Sequence, residues 1–326
     1  MSHPFTGQSS LTGFAFLLSD LLWQNETDHR DPYRMSPPAS STSGYAFGAI
    51  QWDVPNHRAL DFPGLPAPHP RNAEEILRDI LLNARDASGS LFFSVTTVDS
   101  IVKFEEDASG NIINRTGLAY TKGNSHALDA YIGLINAALD SAYGRATIDA
   151  DHATTIGAYN TWINDSITLV QNPDDHAFLT NSNIAKLFIG DFRNQFSGSA
   201  NNLLRGFLQG QAAYGVTKQG TLGVDDLLNF YFRTPHASRL PHDPVRRFAN
   251  VVEVAGGYAP TDLEEAKGVL QAYTFFVMPR KTAISSANTG ALSEFLTRVI
   301  TPAKAPVIQA GKRCQEPFCE CMRRVA

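Results

Sequence analysis

The chain has 326 residues, 43% of them hydrophobic and 18% charged, with a formal net charge of −5. This length allows one large domain or two modest ones around a substantial core, and 20 Phe with 10 Tyr argue against an unfolded class. The weak acidity argues against a general polyanion binder, so nucleic acid is not an expected partner.

Residues 11–27 read as a helix, with Leu11, Phe14, Leu17, Leu18, Leu21 and Leu22 at three- and four-residue intervals and Ser10 as its expected N-cap. Eight prolines between Thr27 and Pro70 make the next stretch a loop with short strands. A second helix is expected over 72–87, with Ile76, Ile80 and Leu81 as its stripe. The β signal is confined to Leu91–Phe104, followed by a turn at Asp107–Asn111 and Ile112-Ile113, a hairpin pattern. From 125 to 300 the pattern is mostly helical, with segments near 125–143, 151–170, 181–196, 199–215, 223–232, 243–254, 261–276 and 289–299. The expected class is mainly α (α+β): one domain over 1–300, with a small β-hairpin element and a helical extension, and a flexible tail over 301–326.

Cys314, Cys319 and Cys321 all lie in that tail, so they cannot staple the body of the fold. They lack a nearby fourth zinc ligand. His236 and His242 flank Arg239, and Arg246-Arg247 follow, in a Pro-punctuated stretch; metal binding there would need a carboxylate or third His at a suitable spacing, and Asp243 is only suggestive. Neither a cofactor nor a metal is expected. No apolar run is long enough to span a bilayer, so stable membrane insertion is not expected. Met1–Phe5 lacks the basic region and apolar core of a Sec signal.

The residues with chemical content begin at Glu26, which ends the first apolar helix. Cleaving a glycosidic bond requires an acid that protonates the leaving oxygen, with a pKa raised by apolar surroundings. Phe14, Leu22 and Trp23 are the candidates for those surroundings. The segment Ser41–Asp53 follows, in which Gly44 and Gly48 permit tight turns and close approach of a ligand. Gln51 offers a donor and an acceptor, Trp52 a flat surface for a sugar ring, and Asp53 a second carboxylate or a turn cap.

Glu26-Thr27 followed by Gly48-Ala49-Ile50-Gln51 resembles the lysozyme-like superfamily, especially goose-type lysozymes and lytic transglycosylases. In those families a Glu ending a helix, usually followed by Ser, precedes a loop ending Gly-Leu-Met-Gln. Glu26 and Tyr33 also match the Glu-x6-Tyr spacing of phage-type lysozymes, with Thr42-Ser43-Gly44 echoing their turn; the Asp that those enzymes carry two residues after the Tyr is Met35 here. A third element of the transglycosylase pattern is matched by Asn183-Ile184-Ala185, Phe188-Ile189, Phe196-Ser197-Gly198 and Ala212-Ala213-Tyr214-Gly215, where Gly215 replaces the usual Asn. Ala158-Tyr159-Asn160 keeps that Asn but lacks the preceding helix pattern, so Tyr214 is favoured.

The resemblance covers residues 10–55 and 181–216. It implies a glycosidase cutting the β-1,4 bond between N-acetylmuramic acid and N-acetylglucosamine in peptidoglycan, by hydrolysis or by anhydro-forming transglycosylation. Glu26 would be the general acid/base, Asp53 an accessory or second carboxylate, with Asp28, Asp31 and Asp61 behind it as candidates, and Gly48, Gln51, Trp52 and Tyr214 substrate contacts. Chitin or chitosan is the alternative substrate. A non-catalytic helical structural or interaction protein is the alternative class. The implied setting is manufacture in the cytoplasm and action in the periplasm or cell wall, after phage lysis or delivery by a secretion machine, with an immunity or inhibitor protein as a further partner.

Overall fold

The computed structural model describes residues 5–56, 70–108, 112–196, 199–218, 220–240 and 242–255. The chain divides into units Met1–Ala283 and Ile284–Ala326, and every described residue lies in the first. Asp61, the turn centre at 109–111, the helices expected over 261–276 and 289–299, the expected boundary at 300 and the three cysteines lie outside the described residues.

Among the described residues the architecture is mainly helical, as the sequence predicts, with two separate two-stranded antiparallel sheets. Helix α1 (Thr6–Ser9) precedes α2 (Gly13–Thr27). Leu17, Leu18, Leu21 and Leu22 of α2 are buried, as their spacing predicts. Its start differs from the expectation. Thr12 occupies the N-cap position, whereas Ser10 closes α1, its hydroxyl donating to the Gly7 carbonyl at 2.9 Å. α2 ends where Asp28 and His29 adopt left-handed φ of 53° and 56°. The Trp23 indole then donates to the Arg30 carbonyl at 2.8 Å, turning the exit chain back along the helix.

Strands β1 (Ala46–Phe47) and β2 (Trp52–Asp53) pair antiparallel, Ala46 opposite Asp53 and Phe47 opposite Trp52. Helix α3 (Ala73–Asn83) begins in a capping box between Asn72 and Glu75, and Ala84 leaves it in extended conformation, so the helix expected to reach 87 stops earlier.

The strand expected over Leu91–Phe104 is largely overturned. Ser94 accepts from the Thr97 amide at 3.2 Å and starts helix α4 (Val95–Ile101). Val98 and Ile101, three apart, are fully buried, and α4 packs on α3. A local cap and a shared apolar face outweigh the strand preference of the β-branched residues. The hairpin itself is present one step later, as β3 (Lys103–Glu106) against β4 (Ile112–Thr116) with a register shift at Glu105/Glu106.

Helix α5 (Ile132–Asp140) is shorter than the expected 125–143. Helix α6 (Ala142–Thr168) is one continuous 27-residue helix, capped by Ser141, where a break before 151 was expected. Gly144 permits its first turn: a Cβ there would lie 2.2 Å from the Ala138 carbonyl oxygen. α7 (Pro173–Asn181), capped by Asn172, is an additional helix before α8 (Asn183–Gln195). The long helix expected over 199–215 is a π-helical turn at Ala200–Leu204 followed by α9 (Arg205–Leu208). α10 (Val224–Phe232), α11 (Pro235–Arg239) and α12 (His242–Ala255) complete the described unit. α2, α8 and α12 pack on one another, with α6 against α2 and α8. The last turn of α2, which carries Glu26, therefore meets α8 and α12. No helix among the described residues is long and apolar enough to cross a membrane.

Candidate functional site

Glu26 is positioned by α8 and α12. Its Oε1 accepts from Asn194 Nδ2 at 2.9 Å and from Arg247 Nη2 at 2.7 Å. Neither hydrogen bond involves Oε2, and the side chain is 21% exposed. One carboxylate oxygen is thus anchored, and the other is free of hydrogen bonds from the described residues.

Arg247 is the centre of the cluster. Its Nε donates to Asp191 Oδ2 at 3.0 Å and its Nη2 to Asp191 Oδ1 at 2.6 Å, a two-pronged grip, while the same Nη2 also reaches Glu26. The Arg247 side chain is 4% exposed and that of Asp191 2%. Asn25 Nδ2 donates to Asp191 Oδ1 at 2.8 Å, and Asn250 Nδ2 to Asn25 Oδ1 at 2.6 Å. Burial pushes the Asp191 carboxyl up, against the opposing pull of Arg247. Burial also works against the charge of Arg247, but Asp191 and then Glu26 outweigh it and hold the guanidinium in its charged form.

The polar chain continues on both sides. Tyr159 of α6, buried, donates its hydroxyl to Asn194 Oδ1 at 2.9 Å, so the amide of Asn194 links that phenol to Glu26. Burial raises the Tyr159 phenol above its ordinary range. On the other side Tyr231 donates to Gln195 Oε1, Gln195 Nε2 donates to Asp243 Oδ2 at 2.9 Å, and His236 Nε2 lies 2.8 Å from the same oxygen. Arg246 pairs with Asp243 Oδ1 at 2.8 Å and reaches the Asn25 carbonyl. Burial opposes the Asp243 charge, yet Arg247, Arg246 and His236 bring its carboxyl down to about 2.

Several expected site residues sit elsewhere. Asp53 fastens the loop: the Gly44 amide donates to both its oxygens at 3.3 Å and Asn56 Nδ2 to Oδ2 at 2.9 Å. This is the turn-cap role. Its carboxylate makes no hydrogen bond or ion pair with Glu26 or with the residues that hold Glu26; the carboxylate that shares a partner with Glu26 is Asp191. Trp52 is fully buried, against Phe47 and over Gly48, and offers no face to a sugar. Gly48 has φ of 77°, and a Cβ on it would lie 2.5 Å from Trp52 Cε3, so the glycine serves this packing. Gln51, at φ of 54°, closes the turn with its amide on the Gly48 carbonyl and is half-buried. Tyr214, at φ of 53°, lies in a turn with its ring against Phe230. Of the two tyrosines weighed from the sequence, Tyr159 is the one joined to Glu26 through Asn194.

The apolar surroundings expected around Glu26 are also placed differently. Trp23 packs against Phe5 and His29, and the Lys186 ammonium lies over the Phe14 ring. The groups bonded to the carboxylate are Asn194 and Arg247. The sequence does not single out Asp191, Asn194 or Asn25, and it marks Arg247 only beside the His236–His242 stretch; Asn194 falls inside the motif block 183–215, and Asn25 is adjacent to Glu26, but nothing local ties Arg247 to Glu26. Asp28 caps α2, and Asp31 holds the Tyr33 amide at 3.0 Å. Among the described residues no group of three or more His, Cys, Asp or Glu side chains is arranged to hold a metal.

No protein family, no curated protein and no solved structure matches this chain.

Proposed function

We propose that this protein is a glycosidase of lysozyme-like architecture that cleaves the β-1,4 bond between N-acetylmuramic acid and N-acetylglucosamine in peptidoglycan, with Glu26 as general acid/base. The observation that carries this reading is the asymmetry of the Glu26 carboxylate. Oε1 is held by Asn194 and Arg247, and Oε2 takes no hydrogen bond from the described residues, on a partly exposed side chain at the end of a helix. A fixed carboxylate with one available oxygen is what delivery of a proton to a glycosidic oxygen requires. Oε2 gives its proton to the leaving sugar oxygen as the glycosidic bond breaks. It then takes a proton from the incoming nucleophile, either water or the 6-hydroxyl of the N-acetylmuramic acid.

The position of Asp53 bears on the choice between these nucleophiles. A two-carboxylate hydrolase places its pair across the scissile bond, whereas Asp53 is engaged with Gly44 and Asn56 and Asp191 is buried under Arg247. A scheme with one essential acid, the transglycosylase route, is therefore preferred. Gln51 and Tyr214 stay in this reading as substrate contacts, Tyr159 joins Glu26 through Asn194, and Trp52 is removed. Chitin or chitosan is the second substrate class. Delivery to the wall by a phage or a secretion machine, with an immunity protein on the producing side, belongs to the same proposal.

A non-catalytic interaction protein is the second reading, and one observation favours it: Glu26 shares a buried guanidinium with Asp191, an arrangement that also serves purely to tie helices together. Muropeptide release from purified sacculi separates the two. The glycosidase reading expects release by the wild type and loss of release by Glu26→Gln, with the variant still folded. Equal release by both proteins overturns the role of Glu26. No release from sacculi, chitin or chitosan by the wild type leaves the interaction reading. Mass spectrometry of the products distinguishes anhydro from reducing ends.

A further inference from the structure

We propose that Asp191 and Arg247 are positioning residues that set the orientation of Glu26 and share the charge that faces it. The inference rests on the reading of Glu26 as the acid. Asp191 fixes Arg247 through its Nε and Nη2, at 3.0 and 2.6 Å, so the guanidinium plane cannot swing. The second hydrogen of Nη2 is left pointing at Glu26 Oε1, 2.7 Å away. Asn194, tethered by Tyr159, supplies a second donor to that same oxygen. Two donors on one oxygen choose the rotamer of Glu26 and leave Oε2 as its working atom.

The charge arithmetic is as specific as the geometry. One buried cation faces two carboxylates, so Asp191 takes up part of the field that Arg247 would otherwise direct wholly at Glu26. An arginine alone beside an acid holds it ionised and spoils it as a proton donor; an arginine already paired with a buried aspartate orients that acid with a weaker bias. Among the described residues, the other charged and titratable groups that act on the trio include Tyr159 and Arg193, from α6 and α8, Tyr231, Asp243 and Arg246, from α10 and α12, and His236 of α11 against Asp243. All stay in place when Asp191 alone is neutralised.

The test uses the full chain with Asp191→Asn, Arg247→Met and Arg247→Lys. It reads the pH profile of muropeptide release and the carbon-13 titration of the Glu26 carboxyl, assigned with Glu26→Gln. In Asp191→Asn the whole field of Arg247 falls on Glu26, so the alkaline limb and the carboxyl titration move together to lower pH. In Arg247→Met two carboxylates face each other without a cation, and both readouts move to higher pH. Should Arg247→Met fail to fold, Arg247→Lys takes its place: it keeps the charge but not the two-pronged grip, and kcat falls at least fivefold while KM stays within twofold. A purely structural pair changes stability and leaves titration and profile unmoved, which overturns the proposal. The two readings fail separately. An inactive wild type whose Glu26 titration shifts as described removes the glycosidase and keeps the positioning. Glu26-dependent release with an unmoved titration does the reverse.

Discussion

Arg247 Nη2 lies 2.7 Å from Glu26 Oε1, joining residues 221 positions apart in the chain. The contact ties the last turn of α2 to the middle of α12, and Asp191 of α8 completes it from the third side. Every reading of Glu26 passes through this contact, because it decides which carboxylate oxygen is available and how the charge is shared.

If Glu26 is the proton donor, its isosteric amide should fold and fail. Gln at 26 still offers an oxygen to Asn194 and Arg247 but carries no transferable proton. Muropeptide release should drop about 10²–10⁴-fold, with the circular dichroism spectrum unchanged. A fall smaller than tenfold would contradict the assignment.

The tyrosine pair gives a comparative test. Tyr159→Phe removes the donor on Asn194 Oδ1, freeing an amide that holds Glu26. The loss of about 0.5–1.5 kcal/mol expected for one hydrogen bond corresponds to roughly two- to tenfold in release rate. Tyr214, whose ring rests on Phe230, is kept as a substrate contact away from the Glu26 cluster, so Tyr214→Phe should raise KM and leave kcat within about twofold. Separate kcat and KM values for the two variants check this, and a larger loss of kcat in Tyr214→Phe than in Tyr159→Phe would refute the placement of Tyr159.

His152 supplies a stability prediction. It is fully buried against Phe5, with Nε2 2.7 Å from Ser19 Oγ, and burial pushes it down to about 3 from its ordinary 6.5. Between those values the unfolded chain binds a proton that the folded chain does not, so stability is lost as pH falls from the unfolded value toward the folded one. The slope contributed is at most about 1.4 kcal/mol per pH unit. Urea unfolding at pH 7 and pH 5 should therefore show a smaller acid penalty in His152→Gln than in the wild type; equal penalties would mean that His152 is protonated in the fold.

Glu74 is fully buried and paired with Arg115 of β4 at 2.7 Å. Burial raises its carboxyl despite that partner. Arg115→Met should cost about 3 kcal/mol at pH 7, since a buried charge is left alone. A raised carboxyl favours the folded state when protonated, so this penalty should shrink on acidification through the carboxylate range. Denaturant midpoints at pH 7 and pH 4 measure it, and a penalty that grows toward acid would exclude this account.

At Gly48 both space and backbone refuse a side chain: φ is 77° and Trp52 occupies the Cβ position. Gly48→Ala should lose about 2 kcal/mol or more in urea unfolding, with an altered near-ultraviolet signal from Trp52. Wild-type stability in this variant would show that the turn can relax away from the indole.

Much of the helical layout was legible because its signals are local. The leucine spacing of α2 and the Ile76, Ile80 and Leu81 stripe of α3 mark elements whose hydrogen bonds close within a few residues. Local signals misled where two competed. Leu91–Ile101 is rich in β-branched residues, yet Ser94 and the buried pair Val98 and Ile101 made it helical. Gln51 and Trp52 looked like substrate contacts, and Asp53 like a second carboxylate or a turn cap, because Gln, Trp and Asp are residue types that serve sugar sites. The alternation of β2 instead puts Trp52 inside, and the Gly44 amide captures Asp53.

The sequence by itself determined that the described chain is mainly helical and that a carboxylate ends its first long helix, since periodicity and helix ends are read within a few residues. Only the tertiary structure decided what that carboxylate touches. Arg247, Asp191 and Asn194 reach Glu26 because α2, α8 and α12 pack on one another. An ion pair that spans the fold leaves no spacing in the chain to be read.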